Sequence, residues 1–111
     1  MNETHLRLLR AIEANPQATQ RELAEALGVS LGKTHYCLRA LVDKGWVKAR
    51  NFRANPNKLG YVHVLTRRGL EAKAQLTVSF LRRKVSEYES LRHEIELLRR
   101  EAGLAESSAR E

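Results

Sequence analysis

The sequence predicts a mainly α fold (α+β), in which a small head of short helices and one β-hairpin is followed by a single long helix. Apolar residues recur at helical spacing in short segments of the first half. An extended, alternating stretch follows Gly45, and an apolar stripe with a period near 3.5 runs through the last third. A chain of 111 residues holds one such head and an extension, but not two full cores.

The first helix is predicted over residues 3–15. Either Asn2 or Thr4 can cap its start. Pro16 ends it, because proline disfavours helical geometry at the residue before it. We expect this helix to close the core beneath the segments that follow. Its predicted buried residues are Leu6, Leu8, Leu9 and Ile12.

Residues 19–46 are typical of two short helices joined by a tight turn. Thr19 and Glu22 form a capping box at the start of the first helix. Gly28 stands where the chain must turn through positive φ. Ser30 can cap the second helix, and Gly45 closes it. The predicted inner face of that helix carries Thr34, Leu38, Leu41 and Val42.

The outer face of the second helix is suited to contact with DNA. Arg39 is the best candidate for base reading, since its guanidinium matches the O6 and N7 edges of guanine. The alternative is a salt bridge from Arg39 to Asp43, four residues on. A helix–turn–helix with such a face is built to enter a major groove. The candidate DNA-binding residues are Ser30, Leu31, Gly32, Lys33, His35, Tyr36 and Arg39.

Two extended segments, residues 46–52 and 61–65, predict a β-hairpin with its turn at residues 53–58. The pattern does not decide which face of the second strand is buried. A basic hairpin after a recognition helix is the wing of a winged helix–turn–helix, whose tip can reach phosphates or the minor groove. The candidate DNA-binding residues of the wing are Lys48, Arg50, Arg53, Asn55, Asn57 and Lys58.

The net charge of +7 is concentrated beside these elements. Residues 1–43 hold five acids and five bases, and residues 71–111 hold eight of each. The 27 residues from 44 to 70 hold seven bases and no acid. A solvated basic face is the alternative, but the position directly after a recognition-type helix favours a surface that faces phosphates.

The last helix is predicted from Arg67 to about Ala102, with Thr66 as its cap and Gly103 as its stop. It would be roughly 54 Å long, more than the head can cover. Its stripe averages the coiled-coil period, so we expect it to pair with a second copy of the chain. The alternatives are a helix folded back on its own head and packing on a different protein. The candidate dimerisation residues are Leu81, Val85, Tyr88, Leu91, Ile95 and Leu98.

Ion pairs four residues apart are expected to support the polar side of this helix. They are Arg83 with Glu87, Arg92 with Glu96, and Glu96 with Arg100. The predicted organisation is a winged helix–turn–helix domain over residues 1–66, a dimerisation helix over 67–104 and a disordered tail over 105–111.

Several function classes are not indicated. No run approaches 18 apolar residues and the N-terminus lacks a signal-peptide apolar region, so we expect a cytoplasmic protein with no membrane span. A single cysteine, Cys37, allows no internal disulfide. We interpret it as a small buried hydrophobe, with a redox switch as the alternative.

Catalysis is not indicated either. The sequence has no Ser/His/acid set, Gly-rich phosphate loop or Cys/His ligand spacing, so we expect no enzyme, cofactor or metal site. The four histidines, which are His5, His35, His63 and His93, fall in four different elements.

Several segments resemble known bacterial regulators. Arg21-Glu22-Leu23-Ala24, residues 29–34 and residues 41–47 resemble the winged helix–turn–helix of MarR-type transcriptional regulators. A closer similarity, to the short MarR-like regulators associated with exopolysaccharide gene clusters, includes residues 36–38, 47–52, 58–61, 76–81 and 83–84. The resemblance covers residues from about 5 to 100. It implies a dimeric bacterial DNA-binding regulator of polysaccharide synthesis or export genes.

The chain departs from that family in one respect. Typical members are longer, use helices at both ends to dimerise and enclose an effector pocket between domains. This chain starts at the first helix of its head. We therefore expect no small-molecule pocket of the usual kind, and dimerisation through the C-terminal helix alone.

The sequence as a whole predicts a homodimeric, sequence-specific transcriptional regulator of double-stranded DNA. Two recognition helices would enter successive major grooves roughly 34 Å apart and read a pseudo-palindromic operator. The alternative is a winged-helix protein-interaction module whose long helix binds another protein.

Overall fold

The computed structural model describes residues 2–55 and 58–104, and for residues 51–61 its description is limited to the backbone. Three helices, α1 (Glu3–Ala14), α2 (Gln20–Leu27) and α3 (Leu31–Asp43), precede strands β1 (Val47–Asn55) and β2 (Lys58–Leu65), and helix α4 (Arg67–Glu101) follows. This is a winged helix–turn–helix followed by a long C-terminal helix, as the sequence predicts. The chain forms two compact units, Met1–Thr77 and a second that begins at Val78.

The short helices begin at the capping residues that the sequence singles out. Asn2, rather than Thr4, caps α1. The Thr19 hydroxyl accepts from the backbone N–H of Glu22 at 3.1 Å, and the Glu22 carboxylate accepts from the Thr19 N–H at 2.9 Å. Ser30 accepts from the N–H three residues on, at 3.1 Å. Gly28 ends α2 with φ of +70°, in the left-handed region that glycine adopts without steric cost. The turn between α2 and α3 is therefore fixed at both ends.

The core of the first unit lies between α1, α2 and α3. All four predicted buried residues of α1 are at most 2% exposed. The Arg7 guanidinium donates to the carbonyl of Leu27 at 2.9 Å, which satisfies a carbonyl that the end of α2 leaves free. The buried core cluster consists of Leu8, Leu9, Ile12, Ala18, Leu23, Leu27, Cys37, Leu38, Leu41 and Val47.

The inner face of α3 differs from the prediction at one position. Thr34, Leu38 and Leu41 are buried, but Val42 is 39% exposed. Cys37 takes the fourth buried position, which confirms it as a small buried hydrophobe. Positions 34, 37, 38 and 41 follow the i, i+3, i+4, i+7 pattern of one helix face, and Val42 lies outside it.

The hairpin extends further than predicted. Strand β1 runs to Asn55 and β2 begins at Lys58, so the ladder includes residues that the sequence assigned to a turn. Asparagine is disfavoured in strands, but the whole scale of strand propensities spans only about 1 kcal/mol, so pairing with β2 can override it. A register irregularity between Phe52 and Asn55 adjusts the pairing. The predicted turn residues 56 and 57 lie outside the described residues.

The buried face of β2, which the pattern left open, is the face of His63. The His63 N–H donates to the carbonyl of Pro16 at 2.9 Å, and this bond ties β2 to the connection between α1 and α2. The imidazole is buried, and its Nδ1 has no hydrogen-bond partner among the described residues. Burial lowers the pKa of His63 below its ordinary value of 6.5, because it disfavours the charged form.

Helix α4 begins against the residues that end α3. The Thr66 N–H donates to the Trp46 carbonyl at 2.9 Å, and the Thr66 hydroxyl donates to the Gly45 carbonyl at 2.5 Å. The same hydroxyl accepts from the N–H of Gly69 at 3.1 Å, which confirms Thr66 as the cap. A Cβ placed on Gly69 would lie 2.0 Å from the Trp46 carbonyl oxygen. The first turn of α4 therefore packs directly on main chain.

In the second unit the apolar stripe of α4 is exposed. From Val78 to Leu104 no described residue is buried. Arg92 pairs with Glu96 at 4.0 Å as predicted, whereas Glu87 pairs with Lys84 at 3.3 Å, three residues away. Gly103 follows the helix with φ of +76°. The six candidate dimerisation residues, Leu81, Val85, Tyr88, Leu91, Ile95 and Leu98, are 42–64% exposed.

We predict that Gly69→Ala lowers the free energy of unfolding by about 1–2 kcal/mol. A Cβ at Gly69 would meet main chain, which cannot move aside as a side chain can, so we take the upper part of the range of about 1–3 kcal/mol for overpacking. We subtract the roughly 1 kcal/mol that alanine gains over glycine inside a helix. Urea denaturation at equal protein concentration measures the change. Gly32→Ala is the matched control, since a Cβ there has no heavy atom within 4 Å. A Gly69→Ala variant as stable as the original chain would contradict the packing described.

We predict that stability falls as the pH drops below about 6.5, and that His63→Phe reduces this fall. The folded chain disfavours the protonated imidazole, so the unfolded chain binds more protons and stability is lost as the pH falls. Urea midpoints at pH 7.5 and 5.5 measure the effect. Burial is also the main reason for the lowered pKa of His5, so the variant His5→Gln measures how much of the loss of stability at low pH is due to His5. If His63→Phe lost as much stability between pH 7.5 and 5.5 as the original chain, His63 would not be a cause of the pH dependence.

Candidate nucleic-acid interface

The outer side of α3 is open to solvent along its whole length. All seven candidate residues of the recognition helix are exposed, and Tyr36 reaches 75%. The opposite side of the same helix is locked into the core by Thr34, Cys37 and Leu41. The helix is thus held from one side only, and its other side presents Ser30, Leu31, Gly32, Lys33, His35, Tyr36 and Arg39.

The first turn of α3 is open to an anion. It contains no acidic side chain, and Lys33 is exposed beside it. A Cβ on Gly32 would meet nothing within 4 Å, so the backbone there is uncovered. The N-terminus of a helix carries a partial positive charge that favours phosphate. This end of α3 can therefore receive a backbone phosphate.

Arg39 is exposed and not engaged by its neighbour. The ion pairs found in the described part of the chain do not include the alternative pair of Arg39 with Asp43. Among the described residues its guanidinium has no ion-pair partner, so its five donors can meet an external acceptor such as a guanine edge.

His35 is held by a residue that the sequence analysis missed. Its Nδ1 lies 3.0 Å from Oε1 of Gln20, the first residue of α2. The two residues are 15 positions apart, so no local spacing rule joins them. Two features of the sequence could have indicated this contact. The two helices of a helix–turn–helix pack against each other, and a polar residue, Gln20, comes directly after the Thr19 cap.

The structure describes the side chains of two of the candidate wing residues. Lys48 and Arg50 are exposed and two positions apart on β1, so they project from one face of the strand. Arg53 and Asn55 lie in β1 and Lys58 in β2, where the description is limited to the backbone. The candidate Asn57 lies outside the described residues.

Two other bases of the acid-free segment have partners. The Lys44 ammonium lies 5.3 Å from the centre of the Trp46 ring, within range of a cation–π contact. Arg67 lies 3.8 Å from Glu71, the acid that borders the segment, and both side chains are largely exposed. Lys48 and Arg50 have no ion pair or ring contact among the described residues.

Two further observations concern sites other than a nucleic-acid interface. Within residues 2–55 and 58–104, no three His, Cys, Asp or Glu side chains converge closely enough to hold a metal ion. No helix in the described part of the chain has the length and apolar character needed to cross a membrane.

Comparison with protein families supports the same fold. A model described as a winged helix-turn-helix DNA-binding family matches residues 1–48. A search of curated proteins finds no match.

Solved structures share the fold over most of the chain. The PcaV transcriptional regulator of Streptomyces coelicolor, in complex with its natural ligand, has a TM-score of 0.67 at 20% identity, over 93% of this chain and 75% of its own. Lactococcus lactis ZitR in complex with DNA has a TM-score of 0.56 at 20% identity, over 85% of this chain and 62% of its own. ZitR is a zinc-responsive MarR family member. Streptococcus pneumoniae FabT in complex with DNA has a TM-score of 0.58 at 18% identity, over 93% and 71%.

Proposed function

We propose that this chain is a MarR-type transcriptional regulator that binds double-stranded DNA sequence-specifically as a homodimer. The observation that carries the proposal is the division of α3 into a buried inner side and an exposed, polar and basic outer side. ZitR and FabT, whose folds are similar, have been crystallised or solved with DNA. A helix of this kind, held by its inner side, is available to a major groove.

The proposed contacts assign different roles to different residues. Arg39 would read a guanine edge, and Lys33 would bind a phosphate or a guanine. Ser30, Leu31 and Gly32 would lie at the phosphate backbone near the start of α3. His35 and Tyr36 would touch base edges or a thymine methyl. Residues 1–66 would then form the DNA-binding domain.

The wing would add charge to this surface. Lys48 and Arg50 are the bases of the wing whose side chains the structure describes, and both are exposed. We propose that Arg53, Asn55, Asn57 and Lys58 reach the phosphates or the adjacent minor groove. If each dimer neutralises about eight phosphates, log K should fall with log salt at a slope near −7.

The proposal of a homodimer rests on the exposed stripe of α4. Six large apolar side chains follow a period near 3.5 and are about half exposed. Burying such a side chain contributes about 1.5–3 kcal/mol, so an uncovered stripe of this length is unfavourable in water. A second copy presents the same stripe and satisfies the symmetry of a two-fold dimer. Residues 67–104 would therefore be the dimerisation helix.

We further propose that the target genes direct exopolysaccharide synthesis or export. The similarity of residues 47–52, 58–61, 76–81 and 83–84 to the short MarR-like regulators of such gene clusters supports this target. Binding to DNA upstream of polysaccharide genes of the source genome, compared with shuffled DNA of the same composition, tests it. Equal affinity for both would remove the proposed target.

We predict that Arg39→Ala and Lys33→Ala weaken DNA binding in different ways. Arg39→Ala loses a base contact, which should cost about 1–3 kcal/mol of binding free energy per site and relax the preference at one base pair in each half-site. Lys33→Ala loses a phosphate contact, which should weaken binding to all sequences equally and reduce the slope of log K against log salt by about 1 per chain. Titration of labelled upstream DNA from 50 to 200 mM salt separates the two effects.

Arg10→Ala is the matched control, because Arg10 is exposed on α1 and has no proposed contact with DNA. Weak binding without sequence preference, equal in all variants, would contradict the proposal. That result would favour a winged-helix module whose long helix binds another protein.

We predict that the double variant Leu91→Glu, Ile95→Glu is monomeric and binds operator DNA at least a hundredfold more weakly. Two carboxylates per chain in an apolar seam oppose pairing of the helices. A monomer also loses the gain in affinity that a dimer has because its two recognition helices bind the same duplex together. The mass measured by light scattering should fall from twice 12.7 kDa to 12.7 kDa. The double variant Ser86→Glu, His93→Glu adds the same charge at exposed positions off the stripe and should stay dimeric. An unchanged mass in the first variant would refute pairing through the stripe.

A further inference from the structure

His35 and Gln20 form a cross-helix pair on the surface that we propose contacts DNA. The His35 Nδ1 lies 3.0 Å from the Gln20 Oε1, and both side chains reach solvent. Packing does not require this bond, because the core lies on the other sides of α2 and α3. The pair joins the first residue of α2 to the outer face of the recognition helix, so its effect falls on what His35 presents outward.

The bond fixes where the imidazole carries its proton. The structure turns the Gln20 carboxamide oxygen toward the ring, and because that oxygen can only accept a hydrogen bond, the His35 Nδ1 carries the hydrogen in this contact. In a neutral imidazole the other nitrogen, Nε2, then has a lone pair and can only accept. This is the tautomer that free histidine in water populates less. Gln20 therefore turns an ambiguous side chain into one with a defined acceptor.

We propose that Gln20 is a positioning residue that holds His35 in the Nδ1–H tautomer, so that His35 Nε2 accepts a hydrogen bond from the exocyclic amino group of cytosine or adenine. The inference rests on the proposed function and adds a specificity pair to it. In the major groove only these two bases present an amino donor, at N4 of cytosine and N6 of adenine.

The same geometry disfavours the other two bases. Guanine presents acceptors at N7 and O6, and thymine presents an acceptor at O4 with its methyl group. An acceptor nitrogen placed against these atoms leaves both partners without a hydrogen. The expected preference for cytosine or adenine at the contacted position is about tenfold, the usual effect of one wrong base pair.

The first test uses the full chain without DNA. Imidazole ¹⁵N shifts from long-range ¹H–¹⁵N correlation spectra at pH 8 report which nitrogen of His35 is protonated. We expect a protonated Nδ1 in the original chain and a shift toward protonated Nε2 in Gln20→Met, which keeps the length of the side chain but removes the acceptor. Gln17→Met, at an exposed glutamine before α2, should leave His35 unchanged. A protonated Nε2 in the original chain, or no change in Gln20→Met, would overturn the proposal.

The second test selects bound fragments from random DNA. We expect one position in each half-site where cytosine or adenine is favoured by the original chain and by Gln17→Met. That preference should fall to about unity in Gln20→Met and in His35→Ala, while preferences at other positions persist. A preference that survives both substitutions would overturn the base-reading role.

The two tests separate the inference from the function on which it rests. If the original chain selects no sequence at all, the proposed function fails and the base-reading role fails with it. If selection is strong at positions that depend on Arg39 but not on Gln20 or His35, the proposed function stands and this inference is wrong.

Discussion

The first turn of α4 lies against the main chain of Trp46 with no room for a side chain between them. Gly69 makes this approach possible, and Thr66 holds it in place through hydrogen bonds to the carbonyls of Gly45 and Trp46. The end of α3, the start of β1 and the start of α4 meet at this point. The placement of the recognition helix, the wing and the root of the long helix therefore depends on one backbone contact within the first unit.

A second constraint separates the two sides of α3. Its inner side supplies Thr34, Cys37, Leu38 and Leu41 to the core, so the outer side contributes little to folding. Leu31 and Tyr36 remain 44% and 75% exposed on that side. On β1, Lys48 and Arg50 are exposed, and the Lys44 ammonium before the strand lies over the Trp46 ring. Folding and binding thus draw on different residues of neighbouring elements.

Local signals predicted much of the fold. The caps at Asn2, Thr19 and Thr66 and the turn at Gly28 depend on residues at most four positions apart, and the structure confirms them. The sequence did not predict contacts between distant residues: Gln20 with His35, Gly69 with Trp46, and His63 with Pro16. Those arise from how elements pack, which no spacing rule expresses. The exposure of Val42 and the greater length of the hairpin have the same origin, because burial and strand pairing are settled between elements. The candidate DNA contacts could be named from residue type and helix face alone, but the support that Gln20 gives one of them could not.

The proposed regulation depends on two recognition helices that act on one duplex. Sedimentation equilibrium of the complex with a short duplex that carries one selected operator measures this directly. We predict a mass equal to that of the duplex plus two chains of 12.7 kDa, with no stable complex of intermediate mass. A complex that saturates at one chain per duplex, with full affinity and sequence preference, would contradict it.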